Sequence, residues 1–185
     1  RTAFLLTRTA PDPSSRQINI YHRPPLTVAM EQKEGQWVLQ FLSDTDAIIH
    51  QVRELWNLGP QQAARASPFS LPESGMEEVR QARPLGETEI QKRLEKAGVP
   101  SASAEALART LANPRQNGAL VAMGLRQGVW DTGGLGMLEG ENGLWLLRSF
   151  SRQQAPWIEC VPRSGPQLLA DVEALVKRFL PPPEG

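Results

Sequence analysis

Two stretches of the chain repeat one pattern, and that pattern limits the fold more than any other feature. Residues 28–41 read VAMEQKEGQWVLQF and residues 135–150 read LGMLEGENGLWLLRSF. Both carry a Met on an incoming apolar run, an acidic-glycine turn, a Trp early in the outgoing run and a Phe near its end. Leu26, Val28 and Met30 alternate with Thr27, Ala29 and Glu31, and Trp37, Leu39 and Phe41 line one side of the return, which is the period of a strand. Lys33–Glu34–Gly35 is a polar turn between the runs of the first hairpin, and Glu141–Asn142–Gly143 contains a turn-favouring Asn-Gly. An amphipathic helix is expected after each hairpin, the second time after one additional strand. Ser43 and Asp46 have capping-box spacing before Ile48, Ile49, Val52, Leu55 and Trp56, and Gly59–Pro60 supplies a stop. Ser164 and Gln167 repeat that spacing before Leu168, Leu169, Val172, Leu175, Val176 and Phe179, with Pro181–Pro183 as the stop. Hairpins followed by helices imply an α+β fold: a mostly antiparallel sheet with packed helices, in two quasi-repeated halves.

The remaining segments fit around that frame. Arg1–Arg8 is a short apolar run, residues 9–15 form a loop, and Ile18 and Ile20 mark a strand ended by Pro24–Pro25. From Gln61 to Pro84 the composition turns to Pro, Ser, Ala, Gln and Arg, which predicts a linker with a short helix at Glu73–Gln81. Helices are expected at Glu87–Ala97 and Ser101–Ala112, the second capped by Ser101, and strands at Asn117–Arg126, Leu135–Glu139, Leu144–Phe150 and Trp157–Val161. Gln127–Gly134 reads as a glycine-bearing loop. The domain expectation is a first half over 1–60, a linker over 61–84 and a second half over 85–185.

Charge and chemistry remove several classes of function. Twenty Lys and Arg balance twenty Asp and Glu, so there is no basic surface to select nucleic acid or an anionic membrane. One Cys excludes an internal disulfide and a Cys-built zinc site. No apolar run approaches the roughly 18 residues of a membrane span. His22 and His50 lack metal-ligand spacing, and Cys160 alternates with Ile158 in an apolar strand as packing thiols do. Asp44 and Asp46 are explained by helix capping. The glycines between 128 and 143 lack a phosphate-loop signature and open no helix. In Glu87–Ala112, Lys92, Arg93, Lys96 and Arg109 are cancelled by Glu87, Glu89, Glu95 and Glu105, against a DNA-binding helix pair. No catalytic residue, metal site or cofactor is expected. Trp37, Trp56, Trp145 and Trp157 sit in strand or helix patterns and are expected in the core, whereas Trp130, in the 127–134 loop, is the aromatic best placed for a partner contact.

The order of features over Leu111–Pro181 resembles the C-terminal half of the EspG-type chaperones of type VII (ESX) secretion. The pieces that carry the likeness are LANPRQNGALVAMGLRQ, GLGMLEGENGLWLLRSF and PWIECVPRSGPQLLADVEALVKRFLP. Glu87–Leu111 is similar to the helices that precede this unit in the family, and the family's two related halves parallel the repeat above. The resemblance implies a non-enzymatic cytoplasmic chaperone that keeps a helical PE–PPE secretion substrate soluble. Where the family often has a long substrate-contacting loop, this chain joins Tyr21 to Leu26 in only a few residues; Tyr21 and Arg23, with Trp130, are the expected partner contacts. A second reading is a homodimeric structural or regulatory module that pairs an exposed sheet edge or helix face with its own copy.

Overall fold

A computed structural model describes residues 2–11, 15–126 and 129–180. The strands are β1 (Thr2–Thr9), β2 (Arg16–Arg23), β3 (Leu26–Lys33), β4 (Gln36–Leu42), β5 (Phe69–Pro72), β6 (Gln116–Arg126), β7 (Val129–Gly140), β8 (Gly143–Arg152) and β9 (Ala155–Arg163). The helices are α1 (Thr45–Trp56), α2 (Glu73–Ala82), α3 (Glu87–Lys96), α4 (Ser101–Ala112) and α5 (Gly165–Phe179), with a 3-10 turn at Arg83–Leu85. The strands follow the order β4-β3-β2-β1-β6-β7-β8-β9-β5 in one sheet, antiparallel through β1–β4 and from β7 through β8 and β9 to β5. The α+β class expected from the hairpins is therefore the observed one.

By contact the chain forms two compact units, each drawn from separated segments: 1–59, 118–135 and 166–185 in the first, 60–117 and 136–165 in the second. The sequence expectation had contiguous halves at 1–60 and 85–185 with a linker between. The stretch expected as linker holds β5 and α2, both within the second unit.

In the first unit, alternate residues of the sheet are buried: Phe4 and Leu6 on β1, Ile18 and Ile20 on β2, Ala29 on β3. Ile48, Val52, Leu55 and Trp56 of α1 and Leu168, Val172 and Val176 of α5 belong to the same unit and are likewise fully or nearly fully buried. Trp56 donates its indole N–H to the Thr7 carbonyl at 2.8 Å, which lets a large polar-tipped ring be buried. Phe179 meets Phe4 edge-to-face at 6.2 Å. The cap of α1 is Asp44, not Ser43: its Oδ1 accepts from the Ala47 N–H at 3.0 Å. The helix ends at Asn57, left-handed at φ 51°, two residues before the expected stop at Gly59.

The second unit packs α2, α3 and α4 over β5, β8 and β9. Val79, Ile90, Leu94, Leu107 and Ala108 form one buried cluster with Trp145, Ile158 and Cys160. Trp145 is fully buried and meets Phe69 at 6.0 Å. Ser101 is the first residue of α4 and Pro100 occupies the cap position, so the expected serine cap is not formed.

The largest local departure is at 127–134, expected as a loop, where β7 begins at Val129. Glycines that discourage a strand locally are required here by close packing. A Cβ on Gly133 would lie 2.9 Å from Leu175 and 3.1 Å from Phe179, so the bare backbone makes room for α5. Gly143 is tighter still, with φ +129° and an added Cβ only 2.6 Å from the Ala64 backbone nitrogen. Gly143→Ala is expected to cost roughly 3 kcal/mol by strain and overlap, lowering the melting midpoint by about 6–12 °C. A thermal melt matching the wild type would contradict that close approach.

Candidate protein-binding face

The β3–β4 hairpin closes through Glu34 (φ 50°) and Gly35 (φ 78°), a two-residue turn whose twist suits the flanking strands. Its register then sets which side chains share a face. Ala3, Tyr21, Val28 and Phe41 lie in one row across β1–β4, and Leu5, Asn19, Met30 and Leu39 in the next, with Gln32 beside Trp37. Residues directly opposed in an antiparallel sheet point to the same side. The alternate positions belong to the helix side, where Gln51 of α1 donates to Gln40 at 2.9 Å. The row residues therefore form the opposite side of the first unit's sheet.

That side is apolar and open. Phe41 is 71% exposed, Leu39 55% and Trp37 54%, on the last strand of the sheet. Scattered exposed apolar residues are ordinary on a protein surface, but an adjoining set of large ones marks a contact site. Tyr21 and Arg23, the expected contacts, lie on this face, Tyr21 beside Val28 and Arg23 beside Leu26 at the Pro24–Pro25 turn. Trp130 falls in β7 rather than in a loop, and its side chain lies outside the described residues. Trp37 was expected in the core and is instead half exposed, while Trp56 and Trp145 are buried as expected. In QWVLQFL the large apolar Trp37, Leu39 and Phe41 alternate with Gln36, Val38 and Gln40, which marks one apolar side of the strand without saying what covers it.

Among the described residues, the candidate reactive side chains named above lie apart. Cys160 is buried, and burial first, then the Glu159 charge, pushes its thiol up to about 12, leaving it protonated. His50 is exposed beside Glu54 at 3.0 Å. His22 shares a hydrogen bond with Thr27 Oγ1 at 2.8 Å, and burial holds its imidazole below the usual value. Asp44 caps α1. Among the described residues no three His, Cys, Asp or Glu side chains gather as metal ligands. A cleft of about 670 Å³ in the second unit brings Arg65, Arg109 and Arg115 near Glu105, Glu139 and Glu141, so its charges cancel.

One ion pair on the helix side of the first unit carries a pH signature. Arg16 meets Glu31 through two bonds of 2.6 and 2.7 Å, and the Arg16 guanidinium holds the Glu31 carboxyl below its ordinary value. A carboxyl lowered in the folded state stabilises fully above its unfolded pKa, about 4.5. That stabilisation is lost as pH falls through the lower folded value. Melting midpoints of wild type and Glu31→Gln are therefore expected to differ at pH 7 and converge on acidification; a constant difference would contradict the pairing.

The described residues thus form an α+β fold whose first unit carries an open apolar sheet face. The chain belongs to the EspG family, whose family model matches residues 11–174. No curated protein matches the chain in sequence. Among solved structures it is similar to EspG5, a type VII secretion system chaperone of Mycobacterium tuberculosis solved in complex with the PE25–PPE41 dimer. The two share 18% identity at a TM-score of 0.68, over 97% of this chain and 71% of that one. That likeness establishes the common fold. Among the described residues no helix is long and apolar enough to cross a membrane.

Proposed function

We propose that this chain is a cytoplasmic chaperone of type VII secretion that holds a helical PE–PPE substrate on the open sheet face of its first unit. Family membership and the EspG5 likeness support the client class. The observation that carries the site is the exposure of Trp37, Leu39 and Phe41. The two Met-turn-Trp hairpins are read as copies of one element. Trp145 of β8 belongs to the buried cluster under α2–α4, whereas Trp37 of β4 is half exposed. A client that lays helices on β4 and β3 would cover that side. Tyr21 and Arg23 are proposed contacts at this surface, and Trp130 in the sequence of β7 is proposed as a further partner contact. Burying apolar area on a partner needs shape and a few aromatic anchors and no titrating group.

Co-expression with a PE–PPE pair encoded beside the gene tests the reading. The expected result is a complex that co-elutes on gel filtration and keeps the PPE component soluble. A PE–PPE pair that elutes apart from the chain, under conditions where each is folded, removes the client assignment.

A further inference from the structure

We propose that the cleft of the second unit binds a small polar ligand through an oxyanion group, a phosphate or a carboxylate, with Arg65 and Arg115 as the two arms that hold it. The cleft measures about 670 Å³ and is lined by the 61–65 segment, one side of α4 and the β7–β8 turn. A volume of that order suits a compact small molecule. Its charges cancel in number but not in commitment. Arg109 donates to both Glu87 and Glu105, and the Glu139 Oε2 accepts from the Gln116 amide at 2.6 Å. Arg65 and Arg115 are exposed and make no side-chain hydrogen bond or ion pair among the described residues. Glu141 is then the one uncommitted carboxylate of the lining, set against two guanidinium groups.

Close packing holds the two arms at one place. The Arg115 backbone N–H donates to the Glu139 carbonyl at 2.7 Å, next to Gly140. Ala64, the neighbour of Arg65, comes so near Gly143 that an added Cβ would fall 2.6 Å from its nitrogen. Gly140 and Gly143 are paired across the turn, and residues so opposed have Cα atoms about 4.5–5.5 Å apart. Arg65 and Arg115 therefore leave the main chain on either side of one tight turn, within the span of two long side chains. Thr110 of α4 fixes that turn from below, since a Cβ on Gly140 would lie 2.8 Å from it. A guanidinium meets a carboxylate or phosphate through two parallel N–H bonds, and an anion between two of them removes their mutual repulsion. Glu139 is buried, lines the cleft and keeps Oε1 without a hydrogen-bond partner among the described residues. That acceptor selects a ligand with a hydroxyl or N–H beside its anionic group: a hydroxylated phosphate ester or a hydroxy acid. The site belongs to the second unit and stands independently of the client assignment, which concerns the first.

Ribose 5-phosphate and citrate are the probes, titrated calorimetrically into the whole chain at physiological salt. At least one is expected to bind saturably with a dissociation constant between about 10 µM and 1 mM. Tighter binding of ribose 5-phosphate assigns a phosphate ester, and tighter binding of citrate assigns a hydroxy acid. Arg65→Gln and Arg115→Gln are each expected to weaken the bound probe about tenfold or more. Arg83→Gln removes the same charge from an exposed residue outside the cleft and is expected to stay within about twofold of the wild type, because salt screens distant charges. Ala102→Trp, at an exposed position in the first turn of α4, sets an indole in the cleft and is expected to block binding while the melting midpoint holds. Failure of both probes to bind at about 10 mM overturns the proposal. So does binding that survives Arg65→Gln and Arg115→Gln combined, or that Arg83→Gln weakens equally.

Discussion

Met30→Asp is expected to abolish capture of a PE–PPE pair while the chaperone itself still folds. Met30 lies between Asn19 and Leu39 in the second row of the open face, one strand in from the edge. A carboxylate there must be stripped of water when a client covers the sheet, with no cation beside it on β3 or β4 of that face. Central interface positions of this kind typically carry at least 2 kcal/mol, which is a loss of about 30-fold or more in affinity. The free protein loses little, because Met30 is only partly buried and its side chain leaves the helix-side core untouched. The measurement is a calorimetric titration of each chaperone variant with the client pair, with melting midpoints alongside. Glu34→Gln, at the hairpin tip, serves as the control expected to bind like the wild type. Wild-type affinity in Met30→Asp would move the client off this face.

Trp145→Ala and Trp37→Ala are expected to part widely, because one tryptophan is buried and the other is half exposed. Trp145 is fully buried against α2–α4 and meets Phe69, so truncation leaves a large cavity among residues that cannot collapse into it. The expected cost is about 3–5 kcal/mol, a large part of the roughly 5–15 kcal/mol that holds a domain folded. Trp37 is more than half exposed, and its loss is expected to cost under about 1 kcal/mol. Urea unfolding of both variants decides the matter. Equal costs would mean that both hairpins are covered alike in solution, and the open face would not exist.

The elements most legible in the sequence were those written in their own periodicity. The positions Ile48, Ile49, Val52, Leu55 and Trp56 specify one helical face, and all five are buried. The Glu34–Gly35 turn sets a register that places Trp37, Leu39 and Phe41 together whatever surrounds them. The ends of α1 were less legible, because the choice between Ser43 and Asp44 as cap rests on backbone angles at one residue. The start of β7 was missed because Gly133 is unfavourable by itself and is explained only by Leu175 and Phe179, some forty residues later. The candidate site was half legible. Tyr21 and Arg23 belong to the open face, yet its largest members, Trp37 and Phe41, look like core in sequence.

The chain's own order of residues determined the hairpins, the helices after them and the α+β class. Each of these depends on neighbours within a few positions, where spacing and turn chemistry act directly. Only the tertiary structure decided which apolar strand is covered. Trp145 is sealed by helices contributed from residues 73–112, while Trp37 is left more than half exposed among the described residues. Covering a face requires a distant segment to arrive there, and alternation of apolar residues says that a face is sticky without saying what meets it.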